Sequence, residues 1–154
     1  MFLKYFLSDL ASCFGIKGRD AISKSKALST DVDAAYDPNY PSSFDPSNSA
    51  YLNRGAVITK YTGSGGKYSS SDASSEFLGF VRNLFDKNNV RYQFGSLGKV
   101  DAGGGGTVAK FVANLNMDVV DMGVPVLSMH SPFEIISKLD LYELTKGINV
   151  FLKN

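Results

Sequence analysis

Segments with the pattern of β-strands alternate along this chain with segments that have the pattern of α-helices. The strand-like segments are rich in β-branched and apolar residues, and they begin near Ala27, Gly55, Val90 and Asp118. Such an alternation predicts a layered domain in which helices cover a sheet. Because no repeat or linker divides the sequence, we predict one α/β domain over residues 1–154.

Helix starts can be located from caps and from apolar periodicity. Asp72 is expected to cap one helix. A second helix is predicted after the glycine run at 103–106, with Val108 and Phe111 on its buried face. Ser131-Pro132-Phe133-Glu134 has the pattern of a capping box with proline at the first helical position. The last helix is therefore predicted to begin at this tetrapeptide.

The first fifteen residues are apolar but do not have the pattern of a membrane span. Lys4 and Asp9 interrupt the apolar run, which is too short to cross a bilayer. Phe2, Phe6 and Leu10 share one face at helical spacing. We therefore predict an amphipathic helix and no membrane association.

Charge and cysteine content exclude some classes of partner and compartment. The formal net charge is +1, which gives no electrostatic basis for binding nucleic acid or a membrane surface. Cys13 is the only cysteine, so an internal disulfide is impossible. A reducing, cytoplasmic location is the expectation that follows.

Two polar residues at strand ends are candidates for chemistry. His130, the only histidine, follows an apolar strand, and α/β sheets place their sites at this edge. A lone histidine is nevertheless more often structural than functional. Asp31 also ends a strand-like segment, and its alternative role is an Asx turn or a cap.

The four glycines Gly103–Gly106 precede Thr107 and leave two interpretations open. Glycine runs usually form flexible hairpins, but backbone amides at such a turn can also bind an anion or a carbonyl oxygen. The run is not a P-loop, because no Gly-Lys-Ser/Thr follows it. No Ser/His/Asp arrangement indicates nucleophilic catalysis.

Three segments together resemble the aspartyl aminopeptidase family of di-zinc metallo-aminopeptidases, which is related to vacuolar aminopeptidase I. They are STDVDAAYDPNY from Ser29, DAGGGGT from Asp101, and VPVLSMHSPFE from Val124. The last segment is the most specific, because the family's final zinc-binding histidine lies in a similar Met-His-Ser sequence. Order and spacing agree from about residue 20 to the end of the chain.

The resemblance implies a three-layer αβα fold like that of the zinc exopeptidases, of which this chain would be the C-terminal portion. It implies that Asp31 binds one zinc ion and that His130 binds the other. Gly105, Gly106 and Thr107 would lie along the backbone of a peptide substrate, and Met129 would contact the substrate. Lys60 is the lysine nearest to the family's position for an acidic substrate side chain. Thr59 occupies the aligned position, so a preference for acidic residues stays open.

The same resemblance implies that other parts of the enzyme lie upstream. The family's first histidine, bridging aspartate and Glu-Glu pair have no counterpart here, and the general base is expected among them. We therefore expect an inactive isolated chain, whose partners are the upstream half of the same enzyme and further copies in a large homo-oligomer. The alternative is a noncatalytic assembly or regulatory domain derived from such an enzyme.

Overall fold

A computed structural model describes residues 2–63, 65, 70–99 and 101–154. The helices are α1 (Phe2–Cys13), α2 (Gly18–Ser23), α3 (Ser75–Lys87), α4 (Ala109–Ala113) and α5 (Lys138–Leu152). The strands are β1 (Lys26–Ala34), β2 (Ala56–Thr59), β3 (Tyr61–Thr62), β4 (Ser71–Asp72), β5 (Tyr92–Phe94), β6 (Asp118–Leu127) and β7 (Ile135–Ile136). The predicted α/β class is confirmed.

One mixed sheet forms the centre of the fold. Its strands run in the order β1-β6-β2-β5, with β7 paired to the end of β6. β6 is parallel to β1 and antiparallel to β2, and β5 is parallel to β2. β3 and β4 make a separate two-stranded sheet. The strand β6 is continuous through Gly123 and Pro125.

The hydrophobic core lies between one face of the sheet and helices α3 and α5. Ile58 and Met122 from the sheet pack with Phe77, Val81 and Phe85 of α3. The three helix positions are spaced by four residues, so they form one apolar stripe. On the opposite face the short helix α4 lies against β6 and β1. Helices therefore flank the central sheet.

Two predictions, one about the start of α3 and one about the buried face of α4, are wrong. The cap of α3 is Ser74, whose hydroxyl accepts from the Phe77 amide, while Asp72 lies in β4. In α4 the buried residue is Ala109, and both Val108 and Phe111 are exposed. The helix is too short to bury a stripe of larger side chains.

The capping box at Ser131–Glu134 does not begin the last helix. The Glu134 carboxylate accepts from the His130 amide inside a turn. Ile135 and Ile136 then pair with the end of β6, because β-branched residues favour the strand. The helix begins after Ser137, whose hydroxyl accepts from the Leu139 amide.

The N-terminal helix is confirmed, but its apolar face is not buried. Phe2, Phe6 and Leu10 are exposed, and Ala11 is the buried residue of α1. A contiguous exposed apolar face of this kind is typical of an interaction surface. Nowhere in the described ranges does a helix combine the length and apolarity needed to cross a bilayer.

Candidate metal and substrate site

The face of the sheet opposite the main core is polar. Side chains alternate along a strand, so Ser29, Asp31 and Asp33 of β1 share one face. The strand register pairs Ser29 with Asp121 and pairs Asp121 with Thr59. Two carboxylates from β1, one from β6 and a hydroxyl from β2 therefore lie on the same side of the sheet.

A small polar depression lies on this face. Its volume is about 20 Å³, enough for about one water molecule. It is lined by Asp31, Val32, Asp33, Thr59, Thr62, Leu97, Gly105, Thr107, Asp121, Met122 and Gly123. Three residues that the sequence singled out, Asp31, Gly105 and Thr107, thus meet at one place in the fold.

Gly123 allows the two carboxylate-bearing strands to approach each other. A Cβ atom at this position would collide with the Asp31 carbonyl oxygen. Only glycine avoids that collision, so β6 stays continuous and Asp31 keeps its register with it. The Asp31 side chain is exposed, and its Oδ1 accepts from the Val32 amide at 2.8 Å.

Asp33 and Asp121 are buried, and the sequence did not single them out. The Thr59 hydroxyl donates to Asp33 Oδ2 at 2.8 Å, and the Thr107 hydroxyl donates to Asp121 Oδ2 at 3.0 Å. The Oδ1 atom of each carboxyl has no hydrogen-bond partner among the described residues. The sequence did contain one indication for Asp33: it lies two residues after Asp31 on the same strand, and residues two apart on a strand share a face.

Burial shifts the protonation of both buried carboxyls. Loss of hydration raises the pKa of Asp33 from 3.8 to about 6, against the opposing effect of the Thr59 hydrogen bond. Burial also raises the pKa of Asp121, and the neighbouring Asp31 carboxylate adds to that rise. The polar face therefore holds one exposed carboxylate beside two carboxyls that bind protons more readily than usual.

The glycine run crosses this face and is anchored at both ends. Gly105 forms an antiparallel bridge with Gly63, just after β3. Thr107 holds the other end, because its hydroxyl bonds to Asp121 and also accepts from the Ala109 amide at 3.2 Å. A cavity of about 230 Å³ lies alongside, with Lys99 and Asp101 among its lining residues. Contacts on both sides thus fix the position of the glycine run next to a cavity.

His130 and Met129 lie in the turn between β6 and β7, outside the lining of the polar depression. His130 is exposed, and Met129 is half-buried. The turn is tight, since Ser128 and His130 have φ values of 58° and 66°. The hydrogen bond from the His130 amide to Glu134 closes it.

Lys60 does not line the depression either. Its ammonium group bonds to the Asp72 carboxylate and to the Ala73 carbonyl oxygen. Thr59, the preceding residue, is the one that points to the polar face, because neighbouring residues on a strand point to opposite faces. The structure therefore separates Lys60 from the other predicted substrate-binding residues of the polar face.

The described part of the chain contains no group of three or more His, Cys, Asp or Glu side chains arranged to hold a metal ion. Structural zinc has four ligands, and catalytic zinc has three protein ligands plus water. Asp31 and His130 are single donors on separate elements. Neither residue therefore belongs to a complete ligand set within the described residues.

Comparison with known proteins places this arrangement in a family. A protein of Clostridium acetobutylicum named "Probable M18 family aminopeptidase 1" is 46% identical over 157 residues, covering 99% of this chain and 34% of the relative. The crystal structure of aminopeptidase I from the same organism matches with a TM-score of 0.90, 46% identity and coverage of 99% of this chain and 33% of that one. The M18 aminopeptidase structure from Thermotoga maritima matches with a TM-score of 0.92 and 40% identity, over 98% of this chain and 35% of that one.

The chain thus spans about a third of the length of the relatives it matches. Residues 1–152 match the family described as aminopeptidase I zinc metalloprotease, M18. The match extends over the polar face, the glycine run and the β6–β7 turn. The chain belongs to the M18 family of zinc metalloprotease aminopeptidases.

Proposed function

We propose that this chain supplies part of the active centre of a zinc-dependent aminopeptidase that removes N-terminal residues from peptides. The observation that carries the proposal is the meeting of Asp31 with Gly105 and Thr107 on one face of the sheet. A metal ligand and a segment that binds substrate backbone must be neighbours in such an enzyme. The chain would form the C-terminal portion of one catalytic domain.

In this proposal Asp31 binds one zinc ion and His130 binds the other. Both side chains are exposed and present donor types that zinc accepts, an oxygen and an imidazole nitrogen. The remaining ligands and the general base come from polypeptide outside this third of the protein. Held by these residues and the remaining ligands, two zinc ions would polarise a peptide carbonyl and would lower the pKa of a water molecule.

Gly105, Gly106 and Thr107 would align the substrate backbone, with Met129 as a further contact. The side-chain preference of the enzyme is a separate matter. Lys60 is engaged by Asp72, and the polar depression is lined by three carboxyl groups without a lysine or arginine. Lys99 lines the neighbouring cavity, but Asp101 lines it as well. We therefore propose a preference for neutral over acidic N-terminal residues.

A second candidate is a noncatalytic assembly domain, and the exposed apolar face of α1 favours it. In an assembly domain this face would contact other copies in a homo-oligomer, and in the enzyme it could also be covered by the rest of the same polypeptide. A cytoplasmic location is part of both proposals, since Cys13 is an exposed free thiol.

A chimeric enzyme separates the two candidates. This chain would replace the matching third of the Clostridium acetobutylicum relative, and hydrolysis of leucyl and aspartyl anilides would be assayed with zinc. We expect turnover that Asp31→Ala and His130→Ala abolish. Asp118→Asn, an exposed aspartate at the far end of β6, is the control and should retain full activity.

An inactive chimera that folds and assembles like its parent would favour the assembly domain. Full activity in both Asp31→Ala and His130→Ala would contradict the assignment of zinc ligands. Faster hydrolysis of the aspartyl than of the leucyl anilide would contradict the proposed preference alone.

A further inference from the structure

A cluster of arginines lies at the edge of the sheet formed by β5. Arg54, Arg82 and Arg91 line a shallow recess of about 590 Å³ together with Tyr92 and Phe94. All three arginines are exposed. We call this group the arginine surface, and none of its residues lines the polar depression.

The charge of the arginine surface is only partly balanced by its surroundings. Among the described residues, no ion pair involves Arg54, Arg82 or Arg91. Asp86 is the single carboxylate in the lining, so the lining itself carries three positive charges and one negative charge. Outside the lining, the Glu143 carboxylate accepts from the Arg91 amide at 2.9 Å, and counting it leaves +1. Asp86 is itself engaged, because the Tyr92 hydroxyl donates to its Oδ1 at 3.1 Å.

Aromatic rings contact two of the guanidinium groups. Arg54 lies 4.4 Å from the ring centroid of Tyr51, and Arg82 lies 5.7 Å from that of Phe94. Arg82 Nε also donates to the Tyr92 hydroxyl at 3.4 Å. Cation–π contacts restrict side chains that otherwise lose much entropy on binding a ligand.

The backbone of β5 offers a second recognition element. β5 is the last strand of the sheet in the described part of the chain. The Arg91 carbonyl accepts from Ala56 of β2, and the Gly95 amide donates to Ile58 of β2. Alternate residues of a parallel strand point their polar groups to opposite sides, so those of Tyr92 and Phe94 face outward. An open edge of this kind can pair with an extended peptide.

We propose that the arginine surface binds an acidic, extended segment of a second polypeptide, which adds as a strand to the edge of β5. Carboxylates match the unpaired guanidinium groups, and peptide backbone matches the outward groups of Tyr92 and Phe94. Nucleic acid would use the arginines but not the strand edge. The chain's net charge of +1 also gives nucleic acid no broader field.

The test is a titration of the 154-residue chain with a labelled, end-capped peptide of alternating Glu and Val, followed by fluorescence anisotropy. A Lys–Val peptide of the same length should not bind. Each of Arg54→Gln, Arg82→Gln and Arg91→Gln should weaken binding about two- to five-fold, as exposed ion pairs do. Binding should also weaken as the salt concentration rises.

Arg19→Gln is the matched control, because it removes one exposed charge on α2, away from the arginine surface. Arg19→Gln should leave the affinity for the peptide unchanged. In the wild-type chain, the backbone amide NMR signals of Tyr92 and Phe94 should shift when the peptide binds. Unchanged binding in Arg82→Gln/Arg91→Gln would overturn the proposal. Tighter binding of a single-stranded oligonucleotide would also overturn it, as would arginine-dependent self-association without peptide binding.

Discussion

Thr107 connects the glycine run to the polar face, and its removal should loosen that connection. Thr107→Val keeps the shape of the side chain and deletes the hydroxyl. The hydroxyl donates to Asp121 Oδ2 at 3.0 Å and accepts from the Ala109 amide at 3.2 Å. Asp121 is buried, and its Oδ1 already has no partner among the described residues. The substitution therefore deprives a buried carboxyl of a donor.

The expected loss is about 1–3 kcal/mol of unfolding free energy, the cost of leaving a buried polar group unsatisfied. Urea denaturation measures it, and faster amide hydrogen exchange at Gly105 and Gly106 should accompany it. Thr145→Val is the matched control, since that hydroxyl bonds to the Leu141 carbonyl on the exposed side of α5. This control should change stability by less than about 0.5 kcal/mol.

A double-mutant cycle with Asp121→Asn tests the contact itself. If Thr107 acts through Asp121, the two substitutions should couple by about 0.5–3 kcal/mol. The reasoning is refuted if Thr107→Val costs no more than Thr145→Val and the cycle gives no coupling. Unchanged hydrogen exchange at the glycines would refute the claim that Thr107 anchors the run.

Three further predictions concern other parts of the fold. Asp140→Asn should lower the free energy of unfolding, measured by urea denaturation, by about 2–3 kcal/mol. The reason is that the buried Asp140 carboxylate accepts from the amides of Asn53 and Gly55 at 2.8 and 2.7 Å. A loss below about 0.5 kcal/mol would contradict this prediction. The pKa of Asp33 is about 6 in the folded chain and about 3.8 in the unfolded chain, so between these values only the folded chain holds the proton. The free energy of unfolding should therefore fall by up to about 3 kcal/mol as the pH rises from about 4 to 7. Asp33→Asn should reduce this dependence of unfolding free energy on pH. An equal pH dependence in the wild-type and Asp33→Asn proteins would contradict the prediction. Phe6→Ser should weaken self-association in sedimentation equilibrium, and a wild-type chain that stays monomeric at its highest soluble concentration would argue against an exposed α1 surface.

The fold could be predicted where periodicity and burial agree. The stripe of α3 and the long apolar strand β6 follow directly from the spacing of their residues. The capping-box motif at Ser131–Glu134 predicted the wrong start for the last helix. Ile135 and Ile136, which directly follow the motif, pair with β6 instead of continuing as a helix. The stabilising partner of Glu134 turned out to be the amide of His130, a contact that no sequence pattern specifies.

The candidate site was predictable in part. Asp31, Gly105 and Thr107 were singled out by resemblance, and the structure brings them together. Asp33 and Asp121 were missed, because a carboxyl inside a strand is expected on an exposed face. Their burial depends on how the glycine run folds over the sheet, which involves contacts such as Thr107 to Asp121 between distant parts of the chain.

The zinc content of the chain, alone and within a complete enzyme, tests the central claim most directly. Asp31 and His130 are single donors, so the isolated chain should not bind two zinc ions tightly, whereas the chimera with the Clostridium acetobutylicum relative should bind two. In the chimera, Asp31→Ala and His130→Ala should each weaken the binding of one zinc ion, as measured by equilibrium dialysis and elemental analysis. Submicromolar binding of two zinc ions by the isolated chain, lost in His130→Ala, would contradict the account.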